Sequence, residues 1–195
     1  MLSIRPKWCE KIASGEKTIE VRKTRPKLDT PFKVYIYCTR GKHLAFMQSQ
    51  TGTNLIACMD VTAAIPVGGA IGNGKVIGEF TCERIYKIDK DSTDFLFKAG
   101  GLSVYKQAAE EKCGLRVAMT DDELHGYLGN CQGYGWHISD LKIYDKPREL
   151  REFKKSNRDC FYADLGLAKR DCPDCKNSGC FLERPPQSWC YVEDD

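Results

Sequence analysis

The chain opens on a short apolar run, Met1–Ile4, long enough for a strand and nothing more. Pro6 follows, a residue suited to the first turn of a helix because its missing N–H would have no partner there. Trp8 and Ile12 are four apart, with Cys9 and Ala13 beside them, so the spacing predicts a helix over Lys7–Ser14 that buries Trp8 and Ile12. Gly15 comes just after the last periodic position and reads as the stop. Thr18–Arg22 alternates, with Ile19 and Val21 on one side and Thr18, Glu20 and Arg22 on the other. That is the pattern of a half-buried strand with a polar face. Phe32–Thr39 alternates as well, and Val76–Ile88 is a longer β-like stretch. Between them, residues 41–74 are glycine-rich, and Leu55–Val61 reads as a strand inside a loop inserted between core strands.

Farther on, Ser103–Cys113 reads as a helix with Tyr105, Ala108, Ala109 and Cys113 on one side. Thr120-Asp-Asp-Glu123 has capping-box spacing and precedes Leu124, Tyr127 and Leu128, so a short helix starts there and ends near Gly129. Gly133–Tyr144 is the last core strand, ended by Pro147. Trp136 and Ile138 are in phase, as are Leu141 and Ile143, but the two pairs are out of phase, which predicts a bulge near Ser139-Asp140. Non-uniform strands with two or three short helices between them predict an α+β fold, a small mixed or antiparallel β-barrel with helices on its side.

Composition narrows the picture. A chain of 195 residues suits one well-packed domain better than two. It has no apolar run of about 18 residues, so no membrane span is expected, and its start has no signal core. A soluble, cytoplasmic protein is the expectation. The net charge of +3 says little, but it is unevenly spread: residues 1–27 carry eight Lys or Arg against three Glu, which is +5, and residues 141–158 carry seven against three, which is +4. Two basic stretches can form one phosphate-attracting face or two merely solvated surfaces.

Six of the eleven cysteines lie within the first 131 residues, scattered through apparent strands and helices, and read as reduced thiols. The others cluster. Cys172-Pro-Asp-Cys175 has the spacing that lets two thiolates reach one tetrahedral ion, Cys180 follows and Cys160 precedes. These four make a candidate structural zinc site, with Cys190 as the alternative fourth ligand. The bland alternative is thiols tucked against the core. Residues 151–195 carry little apolar surface, and a metal would give them a fixed fold.

The densest chemistry lies at Gly15, Lys17, Glu20 and Arg22, a G-x-K-x-x-E-x-R pattern. On a strand Glu20 and Arg22 point the same way, about 7 Å apart. Lys17 joins their face only if the strand begins after it, which Gly15 allows. A Lys-Glu-Arg cluster suits a ligand with donors and acceptors, such as a nucleobase with its phosphate; it also suits a plain salt-bridge network. Lys23-Thr-Arg-Pro26 adds a basic loop. Trp136, with Tyr134 as the weaker candidate, is either a base-stacking platform or core, and His137 stands beside it.

This pattern resembles the signature of the ASCH (activating-signal-cointegrator homology) domain, a PUA-like β-barrel family. Leu2-Ser-Ile-Arg-Pro-Lys-Trp8 resembles the family's opening, and Gly135-Trp-His-Ile-Ser139 with Tyr144 and Pro147 its closing strand. The resemblance covers residues 1–150, with 40–74 as an insertion. The Cys-rich extension 151–195, ending Pro185-Pro-Gln-Ser-Trp189, is similar to one found in a subset of the family, often in mobile-element proteins.

The resemblance implies binding of RNA or nucleotides through Lys17, Glu20, Arg22, Tyr134, Trp136 and His137. It also implies an alternative, since one small member is an amidohydrolase that deacetylates N4-acetylcytidine with a Lys, a Thr and a downstream Glu. Here Lys17 holds the Lys position and Glu20 replaces the Thr, so Lys17 and Glu20 are the catalytic candidates. Glu110 and Glu111 are candidates for the third group, and Glu123 reads as the capping partner. A third reading is a protein-interaction module with a zinc-stapled tail.

Overall fold

The computed structural model describes residues 1–41, 44–48, 54–58, 70–91, 94–129, 131–156 and 181–193. In chain order the elements are β1 (Leu2–Ile4), α1 (Pro6–Ala13), β2 (Ile19–Arg22), β3 (Phe32–Cys38), β4 (Leu44–Gln48), β5 (Asn54–Cys58), β6 (Ala70–Ile71), β7 (Lys75–Cys82), β8 (Ile85–Asp91), β9 (Asp94–Ala99), β10 (Leu102–Tyr105), α2 (Lys106–Cys113), α3 (Asp121–Leu128), β11 (Gly133–His137) and β12 (Ser139–Arg148), followed by a 3-10 turn at Leu150–Glu152. The chain divides into two compact units, one of residues 11–34 and 79–142, the other of residues 1–10, 35–78 and 143–195.

The first unit is built on a five-stranded sheet in the order β10-β9-β8-β11-β2. All its ladders are antiparallel. One face is apolar: Ile19, Val21, Tyr86, Ile88, Phe95 and Phe97 pack with Leu124 and Leu128 of α3 and with Leu115 and Val117. Each such side chain contributes roughly 1.5–3 kcal/mol by leaving water. Gly135 lies in the middle of this face, where an added Cβ would stand 2.8 Å from Ile19 Cγ2. Thr120 caps α3 by accepting from the Glu123 N–H, and Glu123 accepts in return from the Thr120 N–H. Beyond β2, Thr18 and Ile19 donate their N–H groups to the Arg116 carbonyl at 2.8 and 3.0 Å. The Thr18 hydroxyl accepts from the Arg116 N–H and donates to the Gly114 carbonyl, both at 2.8 Å.

Most of a four-stranded sheet, β1-β3-β7-β12, with β1 and β3 parallel, falls in the second unit together with a smaller sheet, β5-β4-β6. Tyr35–Cys38 are buried on both faces, as suits an inner strand. Met1, Tyr35, Tyr37, Val76, Leu150, Phe153 and Leu182 form the core. The C-terminal segment closes along β1: Leu2 bridges Trp189, the Ser3 N–H donates to the Ser188 carbonyl at 2.9 Å, and the Cys190 N–H donates to the Met1 carbonyl at 3.0 Å.

The α+β class expected from the sequence is the one found. Among the described residues, though, the ladders form open sheets and no ring of strands closes. Irregular segments, the tail at β1 and Arg116 at β2, occupy sheet edges that a barrel would pair with strands. Other corrections are local. Helix α1 is two turns long and buries Cys9 and Ile12; Trp8 is half-exposed, with the Lys7 ammonium 4.5 Å from its ring centre. The predicted helix 103–113 starts only at Lys106, after β10. Val76–Ile88 is two strands broken at Glu83-Arg84, β4 is a strand where a loop was expected and pairs with β5, which overlaps the expected strand Leu55–Val61, and Pro147 lies within β12. The expected irregularity near Ser139-Asp140 is present: the ladder breaks at Ile138, and Asp140 has φ 47°.

Candidate functional site

Gly15 adopts φ 76°, a conformation that favours glycine, and turns the chain sharply after α1. Its carbonyl and that of Glu16 accept from the Arg116 guanidinium at 2.7 and 3.3 Å, which pins the turn. Because β2 begins only at Ile19, Lys17 precedes the strand and reaches the face of Glu20. The Lys17 ammonium lies 3.5 Å from one Glu20 oxygen, and the Arg22 guanidinium lies 2.9 Å from the other. A third contact comes from far along the chain, where the Val117 carbonyl accepts from Lys17 Nζ at 2.7 Å. Ala118, next in sequence, has φ 56°, a conformation that is costly for a residue with a Cβ.

The open, accessible pocket expected at these three side chains is not what the structure has. Lys17, Glu20 and Arg22 are only 2%, 5% and 7% exposed. Their charges compensate one another inside the fold instead of projecting into solvent. Burial pushes the Lys17 ammonium below the usual lysine range; Glu20 pulls the other way, Arg22 adds to the fall and Glu123 opposes it.

Register extends the site across the sheet. Trp136 lies opposite Glu20 and Tyr134 opposite Arg22. On its other side β11 sets Trp136 opposite Ile85 and Tyr134 opposite Lys87, and Lys87 lies opposite Lys98. Directly opposed residues share a face. The face away from the apolar core therefore carries two rows, Glu20–Trp136–Ile85 and Arg22–Tyr134–Lys87–Lys98. Exposure rises along the second: Arg22 is buried, Tyr134 half-buried, and the two lysines exposed, both paired with Asp89 at 3.1 Å. Trp136 is buried, edge-on to Phe32 at 5.7 Å between ring centres, so it is a core residue and not an exposed platform.

His137 lies opposite Ile19 and so belongs to the other face. Its Nδ1 is 3.0 Å from the Ser139 hydroxyl and 3.8 Å from a Glu83 oxygen. Burial lowers its pKa from the usual histidine value, Glu83 raises it and Arg84 lowers it. Of the carboxylates, Glu111 pairs with Gln107 on the surface of α2. Glu110 accepts from the Val117 N–H at 3.4 Å, one peptide from the carbonyl that holds Lys17. Glu123 serves the capping box and also acts electrostatically on Lys17. Nothing local in the sequence marked Glu123 or Val117 as neighbours of Lys17, since they join it only through the fold.

The zinc candidates Cys160, Cys172, Cys175 and Cys180 lie outside the described residues. Among the described residues no group of three or more His, Cys, Asp or Glu is arranged to hold a metal. Nor is any described helix long and apolar enough to cross a membrane.

A model of the ASCH domain family matches residues 2–119, well over half the chain. No curated protein matches significantly. Among solved structures, the ASCH protein of Zymomonas mobilis is similar at 16% identity and a TM-score of 0.44, over 76% of this chain and 71% of that one. A tyrosine-to-phenylalanine mutant of that protein is similar at 18% identity and a TM-score of 0.45, over 76% of this chain and 73% of that one.

Proposed function

Because the chain belongs to the ASCH domain family, we propose that it is an RNA- or nucleotide-binding module whose ligand meets the accessible part of the sheet face, at Tyr134, Lys87 and Lys98, beside the buried Lys17–Glu20–Arg22 cluster. The observation that carries this reading is the row Arg22–Tyr134–Lys87–Lys98, which combines cations with an accessible aromatic ring. The exposed lysines meet phosphates, the Tyr134 ring stacks a base, and the buried Lys17–Glu20–Arg22 cluster fixes the polar groups beneath it. Binding to single-stranded RNA, followed by fluorescence anisotropy, should weaken as salt rises. Tyr134→Ala should cost about 1–3 kcal/mol of affinity. Lys17→Ala and Glu20→Gln should weaken binding less than Tyr134→Ala does, because both side chains are buried and act only through the face they support. RNA and nucleotide binding indifferent to all three substitutions would sink the reading.

A second reading, an amidohydrolase acting on a modified nucleoside such as N4-acetylcytidine, is favoured by one observation. Burial lowers the pKa of Lys17, and a lysine base or nucleophile needs to be neutral. Its mark would be turnover of N4-acetylcytidine that Lys17→Ala abolishes.

For the tail, the zinc reading with Cys160, Cys172, Cys175 and Cys180 is supported by the chain on either side of that segment. Lys154 bridges Phe181, and the Leu182 N–H donates to the Phe153 carbonyl at 2.8 Å. The described residues on either side of the segment are thus held together, and a metal clip suits the closure of a long loop between them. Elemental analysis of the reduced protein should give one zinc per chain, and no bound metal would refute it.

A further inference from the structure

A cavity of about 420 Å³ opens beside the sheet, lined by the loop after β2, the β7–β8 turn and the end of β9. Its volume falls in the roughly 300–1,000 Å³ range of small-molecule sites. Ile85 lines it, and Ile85 lies opposite Trp136 on the face that carries Glu20. Arg25 and Arg84 both line it, from separate segments of chain. Both side chains are exposed, and neither guanidinium has an ion-pair or hydrogen-bond partner among the described residues. Two unpaired planar cations facing one cavity match a phosphate dianion, which takes bidentate hydrogen bonds from each. Thr30 adds a hydroxyl. The same cavity holds Asp29 and Glu83, the latter 3.8 Å from His137. Those carboxylates repel a bare anion, but they accept hydrogen bonds from hydroxyl or amino groups.

We propose that Arg25 and Arg84 form a subsite for a phosphate monoester carried on a hydroxyl-bearing group, as in a nucleoside monophosphate or the phosphorylated end of an RNA strand. The subsite is separate from the Lys17 cluster, since neither Lys17, Glu20 nor Arg22 lines the cavity. The arginines hold the phosphate, Asp29 and Glu83 receive sugar hydroxyls or a base amino group, and Ile85 offers the apolar floor. Ester phosphates are thereby preferred over inorganic phosphate.

The test is isothermal titration calorimetry of the full chain with adenosine monophosphate, adenosine, inorganic phosphate, and a single-stranded RNA with and without a 5′-phosphate. The monophosphate should bind at least tenfold more tightly than adenosine or inorganic phosphate. Arg25→Ala and Arg84→Ala should each weaken it at least tenfold, and Arg84→Lys should recover only part, because lysine lacks the planar fork. A gain from the 5′-phosphate identifies a strand end as the occupant, and no gain identifies the free nucleotide. Equal binding of the monophosphate and adenosine, or wild-type affinity in both alanine variants, overturns the proposal. RNA binding that falls in Tyr134→Ala but stays intact in both arginine variants, with the monophosphate unbound, removes the subsite and leaves the RNA reading standing. Arginine-dependent monophosphate binding without RNA binding does the reverse.

Discussion

Strand β2 is buried on both faces, by opposite means. Ile19 and Val21 are covered by Tyr86, Ile88, Phe97 and the side chains of α3. Glu20 and Arg22 are covered on the other face, their charges met by each other and by Lys17. The apolar face gains stability with every square ångström removed from water. The charged face gains little, because the cost of desolvating three ions is of the same order as their mutual attraction. An apolar strand would serve the fold at least as well. The difference between the faces therefore locates the part of the sheet that stability alone does not explain.

The strongest way to break the comparison is to remove the shared counter-ion. Glu20→Ala leaves Lys17 and Arg22 buried without compensation and should cost about 3–5 kcal/mol in urea denaturation. Replacing all three, as Lys17→Met with Glu20→Leu and Arg22→Met, should leave stability unchanged or raise it by up to about 1–4 kcal/mol. If the triple variant is as unstable as Glu20→Ala, the charged face is structural and the comparison fails. On the apolar face, Gly135→Ala puts a methyl 2.8 Å from Ile19 Cγ2 and should cost about 1–3 kcal/mol by overpacking. At the edge of that core, Thr120→Ala removes the cap of α3 and should cost about 1 kcal/mol. A loss below a few tenths in the same denaturation experiment would show that the capping box adds nothing there.

How much of this was legible in the sequence follows from the distance over which each feature is decided. The meeting of Lys17, Glu20 and Arg22 is settled within eight residues by a glycine and a strand period, and so is the Thr120–Glu123 box. The partners of that cluster are set by register between remote strands, which no local period encodes. Trp136 shows the consequence, since its spacing fits a stacking platform and a core residue equally, and only Phe32 and the β2–β11 ladder decide for core. The Val117 carbonyl was invisible for the same reason, 100 residues from the ammonium it holds. Trp8 failed differently: in a two-turn helix, one step of rotation exchanges Trp8 for Cys9 on the buried side.

The smallest effect is a slope, and it separates the two faces most cleanly. Burial sets the folded-state pKa of Lys17 below its ordinary 10.5. Between that lowered value and 10.5 the unfolded chain holds more protons at this site than the folded chain does. Stability must then rise with pH across that window. Below the window Lys17 is charged in both states, and the cost of burying its charge is borne in full. Lys17→Met has no such group, so urea midpoints followed from pH 7 to 10 should show wild type gaining on the variant as pH rises. His137 also has a lowered pKa, again chiefly through burial, but its window closes near the ordinary histidine value of 6.5, below the range measured. The control lies on the other face, where Ile19→Ala removes nothing that titrates and its deficit should stay constant over the same range. Parallel curves for wild type and Lys17→Met would mean that attraction to Glu20 offsets the desolvation of the ammonium in full, and the distinction drawn between the two faces of β2 would go with it.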